Sequence, residues 1–126
     1  MTAAGIGFAP APGAQPLEAP LPVRLEYLRE EGAEACPDAR HIEAMVAAQF
    51  GRAPFSPTAA AAVLATLRRA GPVWHASILA HDSDGNPLGQ RALRVSARDC
   101  REVSETLAFT LAMVVDTLAQ IGRAHV

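Results

Sequence analysis

The sequence predicts an α/β fold of the α+β kind, a two-layer sandwich in the order β-α-β-β-β-α, with a four-stranded mixed sheet and two helices on one face. Three observations predict it. Apolar and polar residues alternate in segments of strand length, apolar residues recur at helical spacing in two others, and Gly- or Pro-bearing turns separate them. The only two cysteines, Cys36 and Cys100, each stand where a helix should begin.

Residues 1–22 hold five of the ten prolines and almost no charge. They are expected to form a disordered Pro/Ala-rich linker, leaving one α/β domain over residues 23–120. In Val23–Leu28, Val23, Leu25 and Tyr27 alternate with Arg24, Glu26 and Leu28, the period of a half-buried strand. Cys36-Pro37-Asp38 then opens a helix, with proline suited to its first turn and Asp38 at its positive end. Ile42, Met45, Val46, Gln49 and Phe50 follow at helical spacing, and Gly51 is placed to end the helix.

The stretch from Ser56 to Gly71 is ambiguous. A serine cap, a first-turn proline and a run of alanines favour helix. Against that, Val63, Ala65 and Leu67 alternate with Leu64, Thr66 and Arg68, and Ala70-Gly71-Pro72 turns into an evident strand. A strand over Ala61–Arg69 is the expectation. Val73–Asp82 then sets Trp74, Ala76, Ile78 and Ala80 against His75, Ser77, Leu79 and His81. Asp82-Ser83-Asp84-Gly85-Asn86 reverses the chain, and Pro87–Val95 returns as a strand with Arg91 and Arg94 reaching solvent. The last helix runs from Cys100 to at least Leu118. Its inner stripe is Val103, Leu107, Leu111 and Val114, while Phe109, Met113 and Val115 make its second half apolar nearly all round, so it wants cover outside as well.

At 126 residues the chain is one domain long. Its formal charge of −2 gives no pull toward nucleic acid or anionic lipid. Every basic side chain is Arg, and Ala, Gly and Pro are abundant, which points to a GC-rich bacterial genome. No segment approaches the ~20 apolar residues of a spanning helix. The first basic residue is Arg24, so the N-terminus lacks the charged start of a secretory signal. Either the signal is missing from this sequence or Met1 is an internal start.

Several residues invite chemistry. The Asp82–Asn86 turn begins like a calcium loop but has Pro87 at the sixth position and Leu93 at the twelfth, so a hairpin turn is the better reading. His75 and His81 share a strand face but lie about 20 Å apart, too far to ligate one metal ion. His41 sits on a solvated helix flank. Arg68, Arg69, Arg91, Arg94, Arg98 and Arg101 form a basic patch only if the later strands bring them together, and a solvated sheet face is the plainer expectation. No nucleophile elbow, zinc-protease motif, phosphate-cradling loop or aromatic RNA-binding pattern is present, so no cofactor, metal or nucleic-acid partner is expected.

The cysteines admit two states. A disulfide implies an oxidising compartment, and two buried free thiols imply the cytoplasm. A bridge would close a loop of about 65 residues, worth roughly 4 kcal/mol on the chain-entropy model. Thiols at helix starts would also have lowered pKa values, which opens a redox role with Cys36 and Cys100 as attacking and resolving groups. The separation is not that of a C-x-x-C oxidoreductase.

Cys36-Pro37-Asp38 before a helix, a strand with Trp74, the Asp82-x-Asp84-Gly85 turn, and Asp99-Cys100 opening an Ala/Leu-rich helix together resemble a recurrent N-terminal domain of predicted secreted or envelope proteins from myxobacterial-type soil bacteria. The resemblance covers roughly residues 23–116. It implies the Cys36–Cys100 disulfide, an exported location and this architecture, and no activity. Residues 121–126 read as one translated frame of a sequencing adapter, so the natural protein is expected to continue past Gln120 and to cover the apolar helix. The expectation is a noncatalytic, disulfide-stapled module in the periplasm or outside the cell. Its partner is then another protein or the missing C-terminal region of the same chain. The alternative is a thiol-dependent redox enzyme.

Overall fold

The structure, a computed structural model, describes residues 22–124. Except for Pro22, the expected N-terminal linker lies outside the described residues, as do His125 and Val126. Strand β1 (Arg24–Arg29) runs parallel to β2 (Ala62–Ala70), β2 pairs antiparallel with β3 (Val73–His81), and β3 pairs antiparallel with β4 (Pro87–Ser96). The sheet order is therefore β1-β2-β3-β4, and the sheet is four-stranded and mixed, as the sequence predicts. A parallel pair needs a crossover, and helix α1 (Ala39–Phe50) lies in the one between β1 and β2. Helix α2 (Cys100–Ala124) follows β4. Both helices lie on one face of the sheet.

The ambiguous alanine-rich segment is a strand because its alternation is met on both sides. Val63, Ala65 and Leu67 stand opposite Leu25, Tyr27 and Arg29 of β1, and opposite Ala80, Ile78 and Ala76 of β3. Burying that row outweighs the helix propensity of the alanines. The residues that resemble a helix cap make a tight turn instead: Thr58 N donates to Ser56 Oγ at 3.3 Å and Ala59 N to the Ser56 carbonyl at 3.2 Å.

Three element starts differ from expectation, among them β2, which begins at Ala62 and not Ala61. Val23 makes an isolated parallel bridge to Phe55, and β1 begins one residue later. Asp38 is the N-cap of α1, its carboxylate accepting from His41 N at 3.2 Å, so Cys36 and Pro37 precede the helix and proline does not occupy its first turn. Gly51 ends α1 in the left-handed region as expected, its N–H donating to the Ala47 carbonyl. At α2 the signals are reciprocal. Asp99 Oδ1 accepts from Glu102 N at 3.0 Å, and Glu102 Oε1 accepts from Arg98 N at 2.8 Å.

The core lies between the sheet and the helix pair. Trp74, Leu67 and Ile78 from the strands meet Ile42, Val46, Leu107 and Leu111 from the helices, all essentially buried. Each large side chain contributes about 1.5–3 kcal/mol through the area it removes from water. Val115 also belongs to this core, whereas Val114 is only half-buried. That corrects the predicted inner stripe: the buried row continues in steps of four from Val103 through Leu107 and Leu111 to Val115, drifting round the helix because a turn takes 3.6 residues, while Val114 packs at the core's edge. The opposite face of the sheet, with His75, Ser77, Leu79 and His81, is half-exposed.

Candidate functional site

Cys36 and Cys100 are joined in a disulfide with Cα atoms 5.2 Å apart across a sequence separation of 64. Cys100 is the first residue of α2, while Cys36 closes the loop between β1 and α1. That loop is built against the sheet. Glu30 N donates to the Leu67 carbonyl at 2.7 Å, and Arg69 N donates to the Glu31 carbonyl at 2.9 Å, so both strand ends continue pairing past β1. Gly32 follows with φ +82°, and a Cβ there would stand 2.8 Å from Cβ and the carbonyl oxygen of Arg69, so glycine is required for both conformation and space. The Arg29 guanidinium then donates to the carbonyls of Glu34 and Cys36. This clamp sets Cys36 against the start of α2.

The setting is structural in character. Cys36 is 1% exposed, and it stands ahead of the Asp38 cap, outside the helix start that would lower a thiol pKa. Cys100 is half-exposed at the first residue of its helix. One turn further, Ser104 is buried, and its Oγ has no partner among the described residues. The Tyr27 hydroxyl is likewise buried and unpartnered; burial raises its pKa, and the nearby positive charge of Arg29 partly offsets that rise.

The other singled-out groups are dispersed. Asp82 caps its own turn, accepting from the backbone N–H groups of Asn86 and Asp84, each at 2.9 Å. These bonds, that to Asn86 foremost, hold its carboxyl below the ordinary aspartate value. His75 stands between Arg68 and Arg94 across the outer face, and His81 stands opposite Ala62 and Pro87. Arg69 lies on the opposite side of β2, its guanidinium 4.7 Å from the Trp74 ring centroid, and Arg91 faces Ile78. The six arginines therefore form no single patch. Arg101 is placed 3.6 Å from Glu105 along the exposed side of α2. Among the described residues no three His, Cys, Asp or Glu side chains gather to hold a metal ion, and no helix is long and apolar enough to cross a membrane.

What the structure does bring together is apolar and exposed. Between β4 and the second half of α2 lies an open groove of about 230 Å³, with Ile78 and Ala80 as its floor and Leu88, Arg91, Met113 and Leu118 along its sides. Across the ridge of Met113 a shallower depression is lined by Phe50, Arg52, Phe109 and Asp116. Of the four large hydrophobic residues exposed among the described residues, Leu88 (39%), Phe109 (57%) and Met113 (40%) lie on this one side; Leu28 is on the sheet's outer face. Phe109 and Met113 were legible from the helical pattern of α2. Leu88 was not, because a break in strand register places it: pairing jumps from Ala80–Gly89 to His81–Pro87, leaving Leu88 as the extra residue of a bulge.

No protein-family model matches the chain, and a search of curated proteins finds no match at the significance required.

Proposed function

We propose that this chain is a noncatalytic, disulfide-stapled module of a protein exported to the periplasm or the cell exterior, acting in assembly or protein contact. The observation that carries the reading is the gathering of Leu88, Phe109 and Met113 on one face beside an open groove. Large exposed apolar patches on small proteins mark contact surfaces. The compartment is supported by the Cys36–Cys100 bridge, since such bonds persist where thiols are not kept reduced. The resemblance to N-terminal domains of secreted proteins from myxobacterial-type bacteria points the same way.

The competing reading is a thiol-dependent redox enzyme, favoured by one observation, the half-exposed position of Cys100 at the first residue of α2. It requires a dithiol donor whose first thiolate attacks the Cys100 sulfur with Cys36 as leaving group and whose second thiolate then releases Cys100, delivering two electrons and two protons in all, and it requires a substrate disulfide to reach the buried Cys36 sulfur. A thiol count separates the two on protein purified from an oxidising compartment, native and denatured, with and without mild reductant. Absence of free thiol until denaturant and reductant are combined supports the structural module. Two reactive thiols in the native protein overturn it in favour of redox chemistry.

A further inference from the structure

The groove has one wall unlike the others. β4 is the last strand of the sheet, ten residues long, and among the described residues its outer edge pairs with nothing. An open edge presents a row of unpaired N–H and C=O groups that can template another strand. The helices cover the sheet unevenly: α2 packs over β3 and buries Ile78 and Ala80, but a groove stays open between Met113 and the exposed residues of β4. A fifth strand beside β4 would complete its hydrogen bonds and turn alternate side chains toward the mouth of that groove.

Charge selects the occupant. β4 carries Arg91 and Arg94 and no acidic residue, although the chain as a whole has an acidic excess. Both arginines are exposed, and neither has an ion-pair partner among the described residues. Arg91 lines the groove, and Arg94 lies on the outer face beside His75. A second copy pairing edge to edge would bring four arginines together without a carboxylate on either strand. A strand acidic on its outer face would meet the opposite charge of Arg94.

We propose that the β4 edge and the groove beneath Met113 bind an extended peptide of a partner protein in which apolar residues alternate with acidic ones. The apolar side chains face the groove beside the stem of Arg91, and the carboxylates, on the opposite face of the added strand, meet Arg94. This rests on the protein-contact reading and names its partner's chemistry and mode of attachment.

The test uses the oxidised full chain and two capped hexapeptides, valine alternating with glutamate and valine alternating with lysine, followed by fluorescence anisotropy and by amide hydrogen exchange along β4. The glutamate peptide should bind about fivefold more tightly at low salt, the scale set by one exposed ion pair exchanged for one repulsion. It should protect alternate β4 amides, those not bonded to β3. The variant R94E, altered at an exposed position, should reverse the preference.

Equal binding of the two peptides, or no change in preference in R94E, overturns the proposal. So does peptide binding that leaves the β4 amides unprotected. Protection of those amides in the free monomer would make a segment of this chain the occupant, and protection rising with protein concentration would make it a second copy; either overturns the proposal. Each of these failures leaves the stapled-module reading standing if the thiol count supports it, whereas two reactive native thiols remove that reading whatever the peptides do.

Discussion

The indole Nε1 of Trp74 donates a buried hydrogen bond, 3.1 Å long, to the carbonyl of Ala97. Trp74 sits at the start of β3 and Ala97 just beyond β4, so one side chain ties the sheet centre to the chain entering α2. Arg69 covers the outer side of the ring. Trp74→Phe keeps most of the apolar volume but leaves the Ala97 carbonyl unpaired, and it should cost about 1–3 kcal/mol. Trp74→Ala adds a cavity and should cost roughly 3–5 kcal/mol. Urea denaturation of the two oxidised variants reads the order; a Trp74→Phe variant as stable as the wild type would show that the hydrogen bond contributes nothing.

Replacing Cys36 and Cys100 together by alanine should lower stability by roughly 4 kcal/mol, the chain-entropy value for a loop this long. Wild-type protein unfolded in excess reductant should show a matching fall in its denaturant midpoint. A loss below about 1 kcal/mol in both experiments would mean that the loop is already held in the unfolded ensemble.

Ser104 buries a hydroxyl that finds no partner, within a helix whose neighbouring residues Val103, Leu107 and Ala108 are apolar. Ser104→Ala removes the uncompensated desolvation and improves helix propensity, so it should raise stability by about 1 kcal/mol. Destabilisation by the same amount would reveal a hydrogen bond at that hydroxyl.

The Asp82 carboxyl is held below its ordinary value by the Asn86 backbone bond first and by the Asp84 backbone bond as well. Its folded pKa thus lies below its unfolded one. Its contribution to the turn is complete above the unfolded aspartate value and disappears as pH falls through the folded value. An NMR titration of the Asp82 carboxyl should give a midpoint below that of a model peptide, and Asp82→Asn should flatten the acid limb of the stability profile. An unshifted midpoint would refute the turn bonding.

Most strand and helix positions were readable because local pattern and burial agree in them. Trp74, Ala76, Ile78 and Ala80 alternate in the chain and are buried in the fold. The helix start at Cys36 was misplaced because Pro37 and Asp38 both suit a first turn, and only the Asp38 bond to His41 N shows which is the cap. In the inner stripe of α2, Val114 packs against the core only in part while Val115 is buried, for a related reason. Periodicity gives a helix face only to within the drift of its turns, and neighbouring elements decide which residue is covered.

By itself the sequence determined the order of elements, the mixed four-stranded sheet and the apolar excess at Phe109 and Met113, since each follows from residue spacing along a few turns or one strand. Whether Cys36 met Cys100 depended on two loops brought together from positions 64 residues apart, a long-range outcome that spacing leaves open. The tertiary structure also decided the groove: a bulge turned Leu88 toward it, and α2, which buries Ile78 and Ala80, stopped short of covering the β4 edge. Hydrophobic pattern records which residues seek burial, but the finite reach of two helices over four strands determines which of them remain exposed.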